Sequence, residues 1–101
     1  MRPIHLAQLD EVRPVLVLTR DIVRPYLRSV TVAPITSTVR GLSTEVPVGP
    51  DNGLDHACVV SCDSIATMSV DRLHRQIGRL LPGQEEELTR AICTAFDLDR
   101  P

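Results

Sequence analysis

Two runs of β-branched and aliphatic residues, RPVLVLT at 13–19 and SVTVAPI at 29–35, constrain the fold of this chain more than any other feature. Neither has helical periodicity, so both read as buried strands. The connector between them, RDIVRPYLR, brings the two strands together antiparallel. Residues 20–24 have room for a helical turn or two before Pro25, which lacks an N–H and interrupts any longer helix. The expected register sets Thr19 opposite Val30, Val17 opposite Val32, Val15 opposite Pro34 and Arg13 opposite Thr36. Both faces of the pair are apolar, so the pattern permits this register without fixing it, and a slip by one residue would exchange every side-chain face.

After Thr36 the polar step Ser37-Thr38 leads to Arg40 and Gly41 and then to a weaker strand at 43–48, STEVPV, which Pro47 confines to an edge or a bulge. GPDNGLD at 49–55 concentrates turn formers and feeds a strand at 57–63, ACVVSCD, so the two strands read as a hairpin. Residues 71–75 read as a short helix and QIGRLL at 76–81 as a last strand, with Pro82-Gly83 breaking the chain again. Leu88, Ala91, Ile92, Ala95 and Phe96 then form the stripe of an amphipathic helix that packs on the sheet. Glu85, Glu86 and Glu87 fall in its first turn, where solvated carboxylates meet the positive end of the helix dipole. The expectation is one small domain over 1–101, mainly β with short helices and a C-terminal amphipathic helix.

Composition removes several classes of function. All 11 basic residues are Arg, set against 13 Asp and Glu, so a uniformly basic coat is excluded. The first half carries the positive excess, which leaves a local basic surface there. Tyr26 and Phe96 are the only aromatic residues, which argues against a platform that reads bases on several rings, so nucleic-acid work is expected to use charge and backbone. Without Lys there is no Walker A lysine, and the five glycines show neither GxGxxG nor GxSxG spacing. Cys58, Cys62 and Cys93 form neither a CxxC nor a disulfide framework, which fits a reducing cytoplasm. Cys58 and Cys62 share one face of a presumed strand and read as buried thiols. His5, His56 and His74 are scattered without metal-ligand spacing. No apolar run is long enough to span a bilayer, so no membrane segment is expected.

Three phrases carry more information: Arg13-Pro14-Val15-Leu16-Val17-Leu18, then Ala33-Pro34-Ile35-Thr36-Ser37, then Val59-Val60-Ser61-Cys62-Asp63. With IGRL at 77–80 and VVSCDSIAT at 59–67 they resemble, in order and over most of the chain, the motifs of the MazF/PemK family of toxin endoribonucleases. The resemblance implies an SH3-like, strongly bent β-barrel and a homodimer presenting a groove for single-stranded RNA. It implies a cytoplasmic toxin that cuts RNA, inhibits translation and growth, and is neutralised by a cognate antitoxin. By the same resemblance Arg13 is the active-site arginine and Thr36 the active-site hydroxyl, the pair that the register sets opposite each other. Asp63, with Ser64 after it, falls where relatives use an acidic residue and a polar neighbour to contact RNA or assist proton transfer. Ser37 is expected to contact RNA, and Arg40, by its place after the polar step, reads as a phosphate contact or as a solvated loop charge.

The chemistry implied is attack by a ribose 2′-hydroxyl on the adjacent phosphorus, giving a cyclic phosphate and a free 5′-hydroxyl, with no metal and no cofactor. Arg13 and Thr36 would supply donors to the phosphorane oxygens. Asp63 is the candidate base, although an exposed carboxylate near its reference value of about 4 is a weak one. Against these roles stand plain ones: a salt-bridged surface arginine and a threonine that ends a strand. Arg72, Arg75 and Arg79 form either another basic face or ion pairs with acids. The chain departs from the family in its first loop, where only Leu9-Asp10-Glu11-Val12 precede the arginine. Relatives carry a longer GSEQ-like stretch there, so the site is expected to be more open to folded RNA such as tRNA or ribosomal RNA. Glu11 is the acid that partly replaces the missing one. The rival expectation on the same fold is a CcdB-like gyrase poison, disfavoured by a C-terminus without Trp, or an inactive module that only binds an antitoxin.

Overall fold

The computed structural model describes residues 2–99. Seven strands, β1 (Pro3–Gln8), β2 (Val12–Val17), β3 (Ser29–Thr36), β4 (Glu45–Val48), β5 (Cys58–Ser61), β6 (Ala66–Ser69) and β7 (Leu73–Arg79), precede a single helix, α1 (Pro82–Ala95). The sheet is antiparallel in the order β4-β5-β3-β2-β1-β7, and β6 also pairs with β3.

The central pairing has the expected register, with Val15 opposite Pro34, Leu16 opposite Ala33 and Val17 opposite Val32. The ladder is shorter than expected at both ends. At one end the Thr19 side chain takes over, its Oγ1 accepting from the Thr31 N–H at 2.8 Å. At the other, pairing stops two residues short of Arg13 and Thr36, and Thr36 is paired with Val59 of β5.

Both faces of this pair are apolar because both are buried. Leu16, Ala33 and Ile35 join one core with Ile4, Val60, Leu80, Leu88 and Ala91, beneath α1. Val15, Val17, Val30 and Val32 point the other way and join Ala7 in a second core.

Several elements differ from the sequence reading. β1 and β6 are unforeseen strands, because PIHLAQ and ATMS are short and interrupted by polar residues. Residues 71–75 are not a helix: a 3-10 turn covers Val70–Arg72 and β7 begins at Leu73. Pro82 opens α1 instead of breaking the chain, since the first helical position has no use for the missing N–H. Phe96 lies beyond the buried stripe and is 54% exposed, because the helix closes at Ala95. Leu98 N bonds Cys93 O and Asp97 N bonds Thr94 O, with Asp97 at φ 56°, the left-handed closure that usually takes glycine. Glu85 is not merely solvated: it receives Arg2 Nε at 2.7 Å.

The IGRL segment owes its glycine to a close backbone crossing. A Cβ on Gly78 would fall 1.7 Å from the Asn52 carbonyl oxygen, and one on Gly53 would fall 2.1 Å from the Ile77 oxygen. Asn52, only 2% exposed, ties the crossing together by donating to Arg79 O and Gln84 Oε1 and accepting from Gly49 N.

Candidate active site

Along β3 the partner chain changes from β5 to β6 through an insertion. Between the pairs Ile35–Val60 and Val32–Ala66, three steps on β3 are matched by six on the partner, and the excess is the 3-10 turn at Cys62–Ser64. This turn works as a large bulge. It keeps Cys62 in the core and turns Asp63 and Ser64 outward.

Beside it is a cavity of about 300 Å³ whose lining includes Thr36, Arg40, Asp63 and Ser64. Four of the six residues singled out in the sequence therefore meet at one site. Ser37 is exposed next to Thr36 but is not part of the wall. Arg13 is not part of the wall either. Its guanidinium is held by the short β1–β2 turn, with Nε 3.2 Å from Asp10 Oδ1 and Nη2 3.0 Å from Glu11 Oε1. The Glu11 backbone N–H and then the Arg13 charge hold the Asp10 carboxyl below its ordinary value, so this anion persists at neutral pH.

The wall is organised by residues that the sequence reading passed over. Glu45 accepts from the backbone N–H groups of Arg40 and Leu42, which folds the 40–42 segment over the cavity. Thr44 Oγ1 donates to Asp63 Oδ2 at 2.6 Å. The Thr38 N–H donates to Thr36 Oγ1 at 3.1 Å, which occupies an acceptor position and leaves the hydroxyl hydrogen to be offered elsewhere. The only sequence signal for Glu45 was a lone acid in an otherwise neutral strand. Glu45→Ala is expected to speed amide hydrogen exchange at Arg40 and Leu42 by about 10- to 100-fold, the worth of a hydrogen bond to a carboxylate. Unchanged exchange, read by NMR, would mean that the loop holds itself.

Two of the histidines have partners, and two of the cysteines are buried. His56 Nδ1 lies 2.5 Å from Asp55 Oδ1, and His5 Nδ1 lies 2.8 Å from the His74 carbonyl oxygen. Cys62 starts the 3-10 turn instead of sharing a strand with Cys58, but both thiols are buried in one core. Burial and then Asp63 push the Cys62 thiol up to about 11, and burial and then Asp55 raise Cys58. Neither is a nucleophile at neutral pH. Iodoacetamide at pH 8 should label partly exposed Cys93 first, and equally fast labelling of Cys62 in the folded protein would contradict its burial. Among the described residues no three His, Cys, Asp or Glu side chains gather as metal ligands. No helix among the described residues is long and apolar enough to cross a membrane.

Residues 4–96 match the family described as PemK-like, MazF-like toxin of type II toxin-antitoxin system, and the chain belongs to that family. Among individual relatives it is 65% identical to Endoribonuclease MazF3 of Mycobacterium tuberculosis (strain CDC 1551 / Oshkosh), over 98% of this chain and 96% of that protein. The chain is thus a homologue of an endoribonuclease. Among solved structures, Mycobacterium tuberculosis toxin MazF-mt6 superposes with a TM-score of 0.96 at 64% identity, covering 98% of this chain and all of that one. The mainly antiparallel sheet with one C-terminal helix is therefore the MazF fold. A mycobacterial endoribonuclease in complex with its cognate antitoxin superposes with a TM-score of 0.86 at 25% identity, over 98% of this chain and 95% of its own.

Proposed function

We propose that this chain is an endoribonuclease toxin that cuts single-stranded RNA without a metal, leaving a 2′,3′-cyclic phosphate and a 5′-hydroxyl, and that it thereby inhibits translation and growth. The observation that carries the proposal is the meeting of Thr36, Arg40, Asp63 and Ser64 around one cavity, in a chain 65% identical to an endoribonuclease. The family match favours this reading over the gyrase poison.

In this reading the ribose 2′-oxygen attacks the neighbouring phosphorus, and the bond to the 5′-oxygen breaks as that oxygen takes a proton from solvent to become the 5′-hydroxyl. The enzyme's task is to meet the negative charge that grows on the phosphorane. The Thr36 hydroxyl, its oxygen already engaged by the Thr38 N–H, donates to one phosphorane oxygen. Arg13 donates through its planar fork once the substrate phosphate has displaced Asp10 and Glu11, a straightforward exchange because all three side chains are substantially exposed. Asp63 keeps Oδ1 for the proton of the attacking hydroxyl, while Oδ2 is fixed by Thr44. Ser37, Arg40 and Ser64 contact the RNA around the scissile step. The protein acts in the cytoplasm as a homodimer and is neutralised by a cognate antitoxin, as the mycobacterial relative solved with its antitoxin suggests. The purified protein is expected to cut single-stranded RNA in excess EDTA. RNA left intact there, but cut on addition of a divalent cation, would overturn the metal-free reading.

A further inference from the structure

Of the ten described arginines four form an ion pair, and six, Arg20, Arg28, Arg40, Arg72, Arg75 and Arg79, form none among the described residues. Arg2, Arg13, Arg24 and Arg90 each meet a carboxylate, Arg24 through Asp21. Arg28, Arg72 and Arg75 are exposed and form no ion pair among the described residues.

Backbone contacts bring Arg28 and Arg72 to one corner of the fold, and Arg75 lies three residues further along the chain. The Val70 N–H donates to the Arg28 carbonyl at 2.8 Å, and Ser29 pairs with Ser69, so the start of β3 is fastened to the 3-10 turn that carries Arg72. Arg75 follows on β7, which lies at the end of the strand order. Asp71 is the only acid between residues 64 and 84, so the corner keeps a positive excess. Two residues before Arg28 stands Tyr26, 85% exposed at the end of the 3-10 turn Arg24–Tyr26. Exposed guanidinium groups and an uncovered aromatic ring are two components that hold single-stranded nucleic acid, the first on phosphate and the second on a base face.

The corner is also in line with the proposed site. Across the sheet Arg13 pairs with Ala7, and Ala7 pairs with Leu73, the residue that follows Arg72. Two strand spacings, roughly 10 Å, separate Arg13 from Leu73 along this row.

We propose that Tyr26, Arg28, Arg72 and Arg75 form a second RNA contact, which holds the strand beyond the nucleotides seated in the cavity. The inference rests on the endoribonuclease reading and extends it: the preferred substrate is an RNA long enough to reach from Arg13 across β1 to this corner.

The test uses the Thr36→Ala background, which should bind RNA without cutting it, with Arg28, Arg72 and Arg75 all changed to Gln and, separately, with Tyr26→Ala. Binding is read by fluorescence anisotropy against salt, on a short oligonucleotide that fills only the cavity and on a longer single-stranded RNA. Three lost phosphate contacts should lower the log–log salt slope on the longer RNA by about 2, at roughly 0.7 per contact, and leave the short oligonucleotide unaffected. Tyr26→Ala should weaken binding of the longer RNA about 5- to 150-fold at constant salt slope, as the loss of one stacked base implies. Equal slopes for the triple variant and its parent on the longer RNA overturn the second contact while leaving the cleavage reading intact. Loss of self-association or antitoxin binding with RNA binding unchanged would also overturn it, because the corner would then be a protein interface. Failure of the parent to bind either RNA would remove both readings together. Circular dichroism of each variant separates these outcomes from unfolding.

Discussion

Arg13→Ala is expected to lower RNA cleavage by about 100- to 1,000-fold, the usual cost of removing one donor from a preorganised anion site. Stability should barely move, because the ion pairs to Asp10 and Glu11 are exposed and pairs of that kind are worth about 0–1 kcal/mol. Thr36→Val keeps the β-branched shape while removing the hydroxyl, and the same rate loss is expected with the strand pairing to Val59 retained. Arg13→Lys should recover only part of the activity, since an ammonium supplies charge without the two-pronged geometry. Cleavage by Arg13→Ala within tenfold of the parent would show that the guanidinium has no part in the charged transition state.

The largest effect on the fold is expected from Gly78→Ala. The added methyl would fall 1.7 Å from the Asn52 carbonyl oxygen and 3.0 Å from the Gly53 Cα, both backbone atoms that no rotamer change can move aside. Relief requires β7 to separate from the turn at Pro50–Asn52, which would pull apart the Asn52, Arg79 and Gln84 hydrogen bonds. A loss of about 3 kcal/mol or more in a denaturant titration is expected, at the upper end for overpacking. Gly83→Ala is the matched control, because nothing lies within 4 Å of its added methyl and the position is helical. It should be neutral or stabilising by up to about 1 kcal/mol. Equal stability of the two variants would contradict the backbone crossing.

These two expectations draw on different amounts of sequence information. The pairing of β2 with β3 was readable from RPVLVLT and SVTVAPI and the observed register was among those permitted, but with both faces apolar the sequence pattern alone did not select it. The site was readable in part: Thr36, Arg40, Asp63 and Ser64 were selected by motif and do share a cavity wall. Its scaffolding was not, since Glu45 acts on backbone N–H groups five and three residues before it, a contact that exists only after the loop has folded. The same holds for Asn52 and Gly78, which are far apart in the chain and whose fit is set by backbone proximity instead of residue type. The register that sets Arg13 opposite Thr36 continues two residues past the last pair of the ladder. The strand pairing stops at Val15–Pro34, and the adjacent acids of the turn take the guanidinium instead. The termini of α1 depart from the periodicity of the sequence, at Pro82 and at Phe96, because local closure overrides it there.

The most direct measurement is the end-group chemistry of RNA cut in EDTA by this protein. Attack by the neighbouring 2′-hydroxyl requires that polynucleotide kinase label the new 5′ ends without prior phosphatase treatment, and that the matching 3′ ends carry a 2′,3′-cyclic phosphate. Fragments bearing 5′-phosphates and free 3′-hydroxyls would mean that water was the nucleophile, and the roles given to Arg13, Thr36 and Asp63 would not stand.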